Sequence, residues 1–310
     1  MNTVGDQKTV RQQYAFYATI TIISWGLGNV LTRVALRTFS PFAVGFWRYA
    51  IAAALLAVLA AAKRIGPPAK ADLPWFVLSG FTGFAFYVVT YNMGYLTVTA
   101  ATGSVISATI PLMTAALARL FFKETLGLFK WCAVLLQFSG ILIIALSGGH
   151  FSVSEGILWM LLSALSLSVY NLLQRKLTRR YSALQAAIYS IFCGAAMLAV
   201  FAPRAVRELP SARADAVFAV GFLGIFASAV AFLSWTKAFS LADKASQVSN
   251  FMFITPIIST AFEIMLFKEL PGVATLIGGV VILLGAVLFG RGKAPAADQP
   301  ALRRDRDTHP

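Results

Sequence analysis

Three asparagines lie inside stretches that are otherwise apolar: Asn29, Asn92 and Asn171. A buried amide without partners is costly, so each must face protein or water rather than hydrocarbon. Near them in the chain stand aromatic residues, most of them with a polar atom: Trp25, Phe84, Tyr87, Tyr91, Tyr170 and Trp235. Tyr14, Tyr17, Trp75, Trp131 and Trp159 suit a membrane-interface belt. Trp25, Tyr87 and Tyr170 lie deeper, where their N–H and O–H groups need partners. The chemistry of such a set is recognition. Amides would orient a small solute, and rings would take its flat or apolar part. For the amides the alternative is bonding from helix to helix, a structural role that Ser and Thr fill too.

Two prolines, Pro111 and Pro256, sit in the middle of expected helices. An interior proline removes one helix hydrogen bond and frees a carbonyl. Each follows a small, hydroxyl-rich run: Thr99, Thr102, Ser104 and Ser107 before Pro111, and Ser246, Gln247, Ser249 and Asn250 before Pro256. Ser107 and Asn250 are thus expected to join the substrate-facing set, with the prolines as hinges. A plain structural kink is the alternative.

Catalytic groups are missing from the apolar stretches. No carboxylate sits near their middle, and His150 and His309 lie outside them. There is no Ser/His pair, Asp pair or zinc motif. No enzyme, metal site or cofactor is expected, nor an intramembrane proton relay of Asp, Glu or His. Arg48 and Glu263 lie in the outer third of their stretches and are expected to snorkel or pair. Lys123-Glu124 and Lys268-Glu269 read as solvated anchors at helix ends. Cys132 and Cys193 lie inside apolar runs, so buried thiols are expected rather than a disulfide. Amides, hydroxyls and rings suit a neutral or zwitterionic solute better than an ion.

The positioning elements follow from composition. The chain is 58% hydrophobic and 12% charged, about half the charge of a soluble domain. Ten apolar runs are each long enough to span hydrocarbon: about 14–36, 42–62, 73–96, 99–122, 128–146, 154–174, 184–202, 216–239, 245–267 and 273–290. The net charge of +14 falls between these runs rather than on one face, so no nucleic acid is expected. Residues 1–13 read as a polar leader and 291–310 as a disordered tail. The first run, with Trp25, Asn29 and Arg33, does not suit a cleavable signal.

Loop charge sets orientation. With the N-terminus inside, eighteen Lys and Arg fall in inner segments and six in outer ones. Both termini are expected to be cytoplasmic.

The stretch 99–146 is then repeated at 244–291. Shifted by 145, seven pairs are identical: Ser104/Ser249, Pro111/Pro256, Phe122/Phe267, Lys123/Lys268, Glu124/Glu269, Gly127/Gly272 and Gly140/Gly285. At a shift of 142, Ser24/Ser166, Asn29/Asn171, Arg33/Arg175 and Ser40/Ser182 also match; the third and eighth runs run parallel at 144. This is an internal duplication. Copies five spans apart cross the membrane in opposite directions. The expected fold is all-α: ten transmembrane helices as two inverted five-helix repeats, 14–146 and 147–290, with substrate near the midplane between them.

Ser24-Trp25-Gly26 with Asn29 and Arg33, Ser40-Pro41, Arg48, and the duplicated proline–Phe-Lys-Glu–glycine pattern resemble the EamA-type drug/metabolite transporters, over about 15–290. The resemblance implies ten helices, inverted repeats and efflux across the bacterial inner membrane. The Asn- and aromatic-bearing helices look most similar to the aromatic amino acid exporter branch. The second copy departs from the pattern at Leu167-Ser168 and at Ser190, where Trp25-Gly26 and Arg48 would stand. The expected protein exports neutral and aromatic amino acids by alternating access. The rivals are an exporter of drugs or of metabolites such as purines or quaternary cations, a carrier of phosphorylated solutes, and a non-transporting membrane scaffold or enzyme. Its expected partners are a small solute and the bilayer; the sequence carries no signal for oligomeric state.

Overall fold

The computed structural model describes residues 4–122, 128–145, 154–241 and 250–291. Lys123, Glu124, Gly127, His150, Ser246, Gln247, Ser249, the side chain of Asn250 and the tail from 292 lie outside what is described. Among the described residues every regular element is helical. Among the described residues seven helices are long and apolar enough to cross a membrane: Gln12–Ala35, Pro41–Ala62, Lys70–Gly94, Ala100–Phe121, Glu155–Leu177, Ala183–Ser211 and Ala214–Ala238. Trp131–Ile144, Thr255–Phe267 and Val273–Phe289 are apolar but shorter. The fifth, ninth and tenth expected spans fall on these three.

The helices start where small hydroxyl side chains take up their free N–H groups. Ser40 accepts from Ala43 N at the head of α2 (Pro41–Ala62), which follows α1 (Val4–Ala35). Ser182, the sequence match of Ser40, likewise accepts from Gln185 N at the head of the Ala183–Leu198 helix. The matched serines are therefore caps.

The third expected span is not one regular helix. It runs α3 (Leu73–Gly80), a π-helical turn (Phe81–Ala85) and α4 (Phe86–Gly94). The fourth breaks into α5 (Ala100–Ser107) and α6 (Ile110–Phe122), and α7 (Leu128–Ala145) follows. After α8 (Glu155–Leu177), α9 (Ala183–Leu198) and α10 (Ala202–Glu208), the eighth repeats the device: α11 (Ala214–Phe222), a π-helical stretch (Leu223–Val230), α12 (Ala231–Leu241). A 3₁₀ turn (Asn250–Ile254) leads into α13 (Thr255–Phe267), and α14 (Val273–Arg291) closes the described chain.

The prolines correct an expectation. Neither interrupts a continuous helix; each is the second residue of a new segment, Pro111 in α6 and Pro256 in α13. At that position the N–H that proline lacks has no helical acceptor to lose. The break precedes the proline.

Packing joins early helices to late ones: α1 to α12 and α13, α2 to the Leu223–Val230 stretch, α3 to α9, α4 to α8, and α7 to α14. The last pair is close because glycines face backbone. A methyl on Gly140 would lie 2.7 Å from the Gly278 carbonyl oxygen, and one on Gly285 would lie 3.0 Å from that of Ala133. As numbers rise along α7, partners fall along α14, so the two run antiparallel. The contacts also exchange under the shift of 145: Gly140 with Gly278 and Ile282 becomes Gly285 with Ala133 and Gln137. A second pair behaves alike. Gly80 meets the carbonyl of Ser190 and the side chain of Cys193, while Gly224 meets the carbonyl of Arg48 and the side chain of Ile51.

Large apolar side chains such as Val58, Leu120, Leu135, Val200 and Phe218 are exposed, as a lipid-covered surface requires. Cys132 is on this surface, against the expectation of burial, and Cys193 is half-buried. An apolar run facing lipid on one side does not by itself bury every residue in it.

Candidate functional site

At the centre a chain of hydrogen bonds crosses three helices. Tyr91 on α4 donates its hydroxyl to Asn29 Oδ1 on α1. Asn29 Nδ2 donates to Ser259 Oγ on α13 at 2.8 Å, and Ser259 Oγ donates to the Gly26 carbonyl at 3.2 Å. All three side chains are buried. Asn171 on α8 makes the matching bond, donating from Nδ2 to Thr114 Oγ1 on α6 at 3.1 Å. Thr114 and Ser259 each lie three residues beyond a repeated proline. The structure thus places both amides on hydroxyls of other helices.

Arg48 comes into the same cluster. Its residue is 6% exposed, its Nε donates to Ser228 Oγ at 2.8 Å, and its guanidinium lies 5.6 Å from the Tyr49 ring centre. The hydroxyls of Tyr49, Tyr87 and Tyr91 are its electrostatic neighbours. The expectation of snorkelling is therefore wrong: this charge is sealed inside. Among the described residues no carboxylate pairs with it. The available clue was that a 22-residue apolar helix carries a single charged residue.

Aromatic rings run from this cluster toward one end of the molecule. Tyr49 packs edge-on against Phe84 at 5.3 Å, and Phe84 against Tyr170 at 5.1 Å and Phe232 at 5.6 Å. Trp25 stands 6.0 Å from Phe232 and 5.3 Å from Trp235. Its Nε1 donates to the Ala227 carbonyl in the Leu223–Val230 stretch at 3.1 Å. Ser166 makes a similar bond to the Thr82 carbonyl in the other π turn, at 2.7 Å. Widened turns offer carbonyls to neighbouring helices more readily than regular ones. Gly83 makes room for Tyr170: a methyl there would lie 2.2 Å from the ring. Toward the start of α1 and the end of α12, a cleft of about 630 Å³ opens between the two helices, lined by Gln12, Gln13, Phe16, Tyr17, Lys237 and Leu241.

The opposite end is tied by ions. Glu263 on α13 is 1% exposed. Its Oε1 accepts from Arg33 Nη1 and from Ala100 N, both at 2.6 Å, and its Oε2 accepts from Ala101 N at 2.8 Å. A carboxylate at a helix N-terminus also meets the positive end of the helix dipole. Arg33 Nη1 bonds Glu269 too, at 2.9 Å, and lies over the Phe267 ring. Glu263 thereby holds α1, α5 and α13 together, a use of that residue no spacing signalled.

The remaining expected residues divide. Tyr87 is partly buried with its ring 5.4 Å from Tyr91. Asn92 is fully buried; its Nδ2 donates to the Pro41 carbonyl at 2.8 Å and its Oδ1 has no hydrogen-bond partner among the described residues. Ser107 turns back onto its own helix, donating to the Gly103 carbonyl at 2.9 Å. Among the described residues no group of His, Cys, Asp and Glu could hold a metal.

Apolar helices closed around a polar interior define an integral membrane protein with several spans. Residues 12–146 and 154–291 both match the EamA-like transporter family, and the chain belongs to that family. An uncharacterized transporter of Bacillus subtilis (strain 168), YdfC, is 31% identical over 284 residues, covering 91% of this chain and 92% of its own. A probable terminal-alkyne amino-acid exporter of Streptantibioticus cattleyicolor is 27% identical over 92% of this chain and 96% of its own. An S-adenosylmethionine uptake transporter of Rickettsia bellii is 26% identical over 87% and 89%. A solved crystal structure, 20% identical, superimposes with a TM-score of 0.56 over 87% of this chain and 95% of its own, a likeness of fold.

Proposed function

We propose that this protein exports amino acids, neutral and aromatic ones above all, across a bacterial inner membrane by alternating access, as a carrier and not an enzyme. The observation that carries the reading is the sealed polar centre between unlike ends. A cleft between α1 and α12 lies at one end and the Arg33–Glu263–Glu269 ion network closes the other. Rings along the way suit flat or apolar side chains, and the amides and hydroxyls suit a zwitterion. The name of one relative, an amino-acid exporter at 27% identity, supports the substrate class.

In this reading ten helices cross the membrane as inverted halves, 14–146 and 147–290, with both termini cytoplasmic. The exchange of contacts between matched residues supports it, as does the antiparallel packing of α7 and α14. The cleft then opens to the cytoplasm and the ion network faces outward. Trp25, Asn29, Phe84, Tyr87, Tyr91, Asn92, Tyr170, Asn171 and Trp235 line the route, with Ser107 and Asn250 at its mouths, and the breaks before Pro111 and Pro256 act as hinges. A second reading, export of drugs, purines or quaternary cations, draws on the same rings, whose faces attract cations.

Counterflow of labelled phenylalanine and threonine in proteoliposomes, with and without a pH gradient, tests the function. Exchange of either supports it; none with any amino acid removes it. Alanine at Asn29, Tyr87 and Asn171 tests the site, which fails if a folded triple variant transports as before.

A further inference from the structure

We propose that Arg48 anchors the carboxylate of the transported solute, so that the site selects carboxylates, amino acids among them, over amines and quaternary cations. The inference rests on the exporter reading and names the group that the site grips.

A sealed charge in a membrane protein is costly even after its surroundings relax, and such residues mark binding routes when protein partners do not account for them. The described residues do not account for Arg48. Glu263, the buried carboxylate among the described residues, is committed to Arg33 and the α5 N-terminus. Ser228 takes one of the five guanidinium N–H groups and the Tyr91 hydroxyl lies beside it. That leaves a planar fork whose geometry matches a carboxylate. The Tyr49 hydroxyl, buried near Ser228 at the same place, has no hydrogen-bond partner within bonding distance among the described residues and can give a further bond to the bound anion.

The matched position argues that packing does not need this charge. Ser190 stands where Arg48 stands under the shift of 142, and the backbones of both are met by matched glycines, Gly80 and Gly224. Ser190 completes a neutral cluster there, bonding Ser79 Oγ at 2.9 Å and accepting from Gln174 Nε2 at 3.0 Å. One half fills the position with satisfied hydroxyls, and the other spends a cation on it. The Tyr91–Asn29–Ser259 chain begins at an electrostatic neighbour of the guanidinium, so a ligand on Arg48 is felt at the contact between α1 and α13.

The test uses the full-length protein and four ligands of one shape: phenylalanine, 3-phenylpropionate, phenylalaninamide and phenethylamine. Phenylalanine and 3-phenylpropionate should raise the unfolding temperature of the wild-type protein and compete with labelled phenylalanine. Phenylalaninamide and phenethylamine, without a carboxylate, should do neither. Arg48→Gln should weaken phenylalanine binding by about 10- to 100-fold, the range for losing a charged hydrogen-bonding partner, and Arg48→Lys should restore part of it. Equal binding of phenethylamine and phenylalanine overturns the proposal, as does a monodisperse Arg48→Gln protein with unchanged affinity. If Arg48→Gln does not fold, the wild-type ligand series decides alone. If no amino acid is transported, the exporter reading falls, and the anchor falls with it unless 3-phenylpropionate still stabilises the protein.

Discussion

Asn29 and Asn171, matched residues 142 positions apart, each donate a side-chain amide to a hydroxyl on another helix, and those hydroxyls, Ser259 and Thr114, stand 145 positions apart. The first helix of each repeat is thus bonded to the proline-bearing helix of the other. The two bonds differ in one respect. Asn29 also accepts from Tyr91, whose counterpart at the shift of 144 is Trp235. A symmetric scaffold carries an asymmetric site.

Both bonds should therefore stabilise the fold alike while only one controls transport strongly. Double-mutant cycles of Asn29→Ala with Ser259→Ala, and of Asn171→Ala with Thr114→Ala, should each give a coupling of about 0.6 kcal/mol, and no more than ~1.7. Efflux of labelled phenylalanine should fall further in Asn29→Ala than in Asn171→Ala. Equal efflux from the two variants would contradict the asymmetry.

Trp25 and Trp235 pack together between α1 and α12, their ring centres 5.3 Å apart. Replacing either with alanine should reduce phenylalanine transport by about 2- to 10-fold relative to threonine, the worth of an aromatic pair. Competition between the two labelled substrates measures this ratio. An unchanged ratio would mean that the rings serve packing alone.

Arg33→Ala leaves the Glu263 carboxylate buried without its counter-ion, and should cost about 3–5 kcal/mol. Glu269 is half-exposed, with 47% of its side chain accessible, so Glu269→Ala should cost about 0–1 kcal/mol. Unfolding of the purified variants gives the order directly; a reversed order removes Glu263 as the junction of α1, α5 and α13.

Gly83→Ala puts a methyl into the Tyr170 ring and should destabilise by about 1–3 kcal/mol. Tyr170→Ala should relieve that clash, so the double variant should be more stable than the sum of the single losses implies. Simple additivity would show that the turn yields without help from Tyr170.

The helical class and the duplication were legible because glycine, proline and cap residues keep their backbone duties in both copies. Ser40 and Ser182 cap helices, and Gly140 and Gly285 meet backbone, so their identity survives. The amides were legible because apolar neighbours made them conspicuous. Ser259 and Thr114 were not: a hydroxyl in a helix can always bond its own backbone, so its tertiary partner leaves no pattern. The π turns were equally silent, since a single widened turn needs no particular residue. Arg48 was visible but misjudged. Distance from the expected membrane surface suggested that it could reach water, whereas the packing of α2 on the Leu223–Val230 stretch turns it inward.

The crossing of partners has a consequence for how the chain holds together. Asn29, Gly140, Gly224 and Asn171 each find their contact in the opposite half. What unites the halves is surface rather than covalent continuity. A cut between residues 146 and 153 should leave two fragments that associate in the bilayer. In the proposed inverted arrangement, each fragment alone would present a face that an upside-down copy of itself can satisfy.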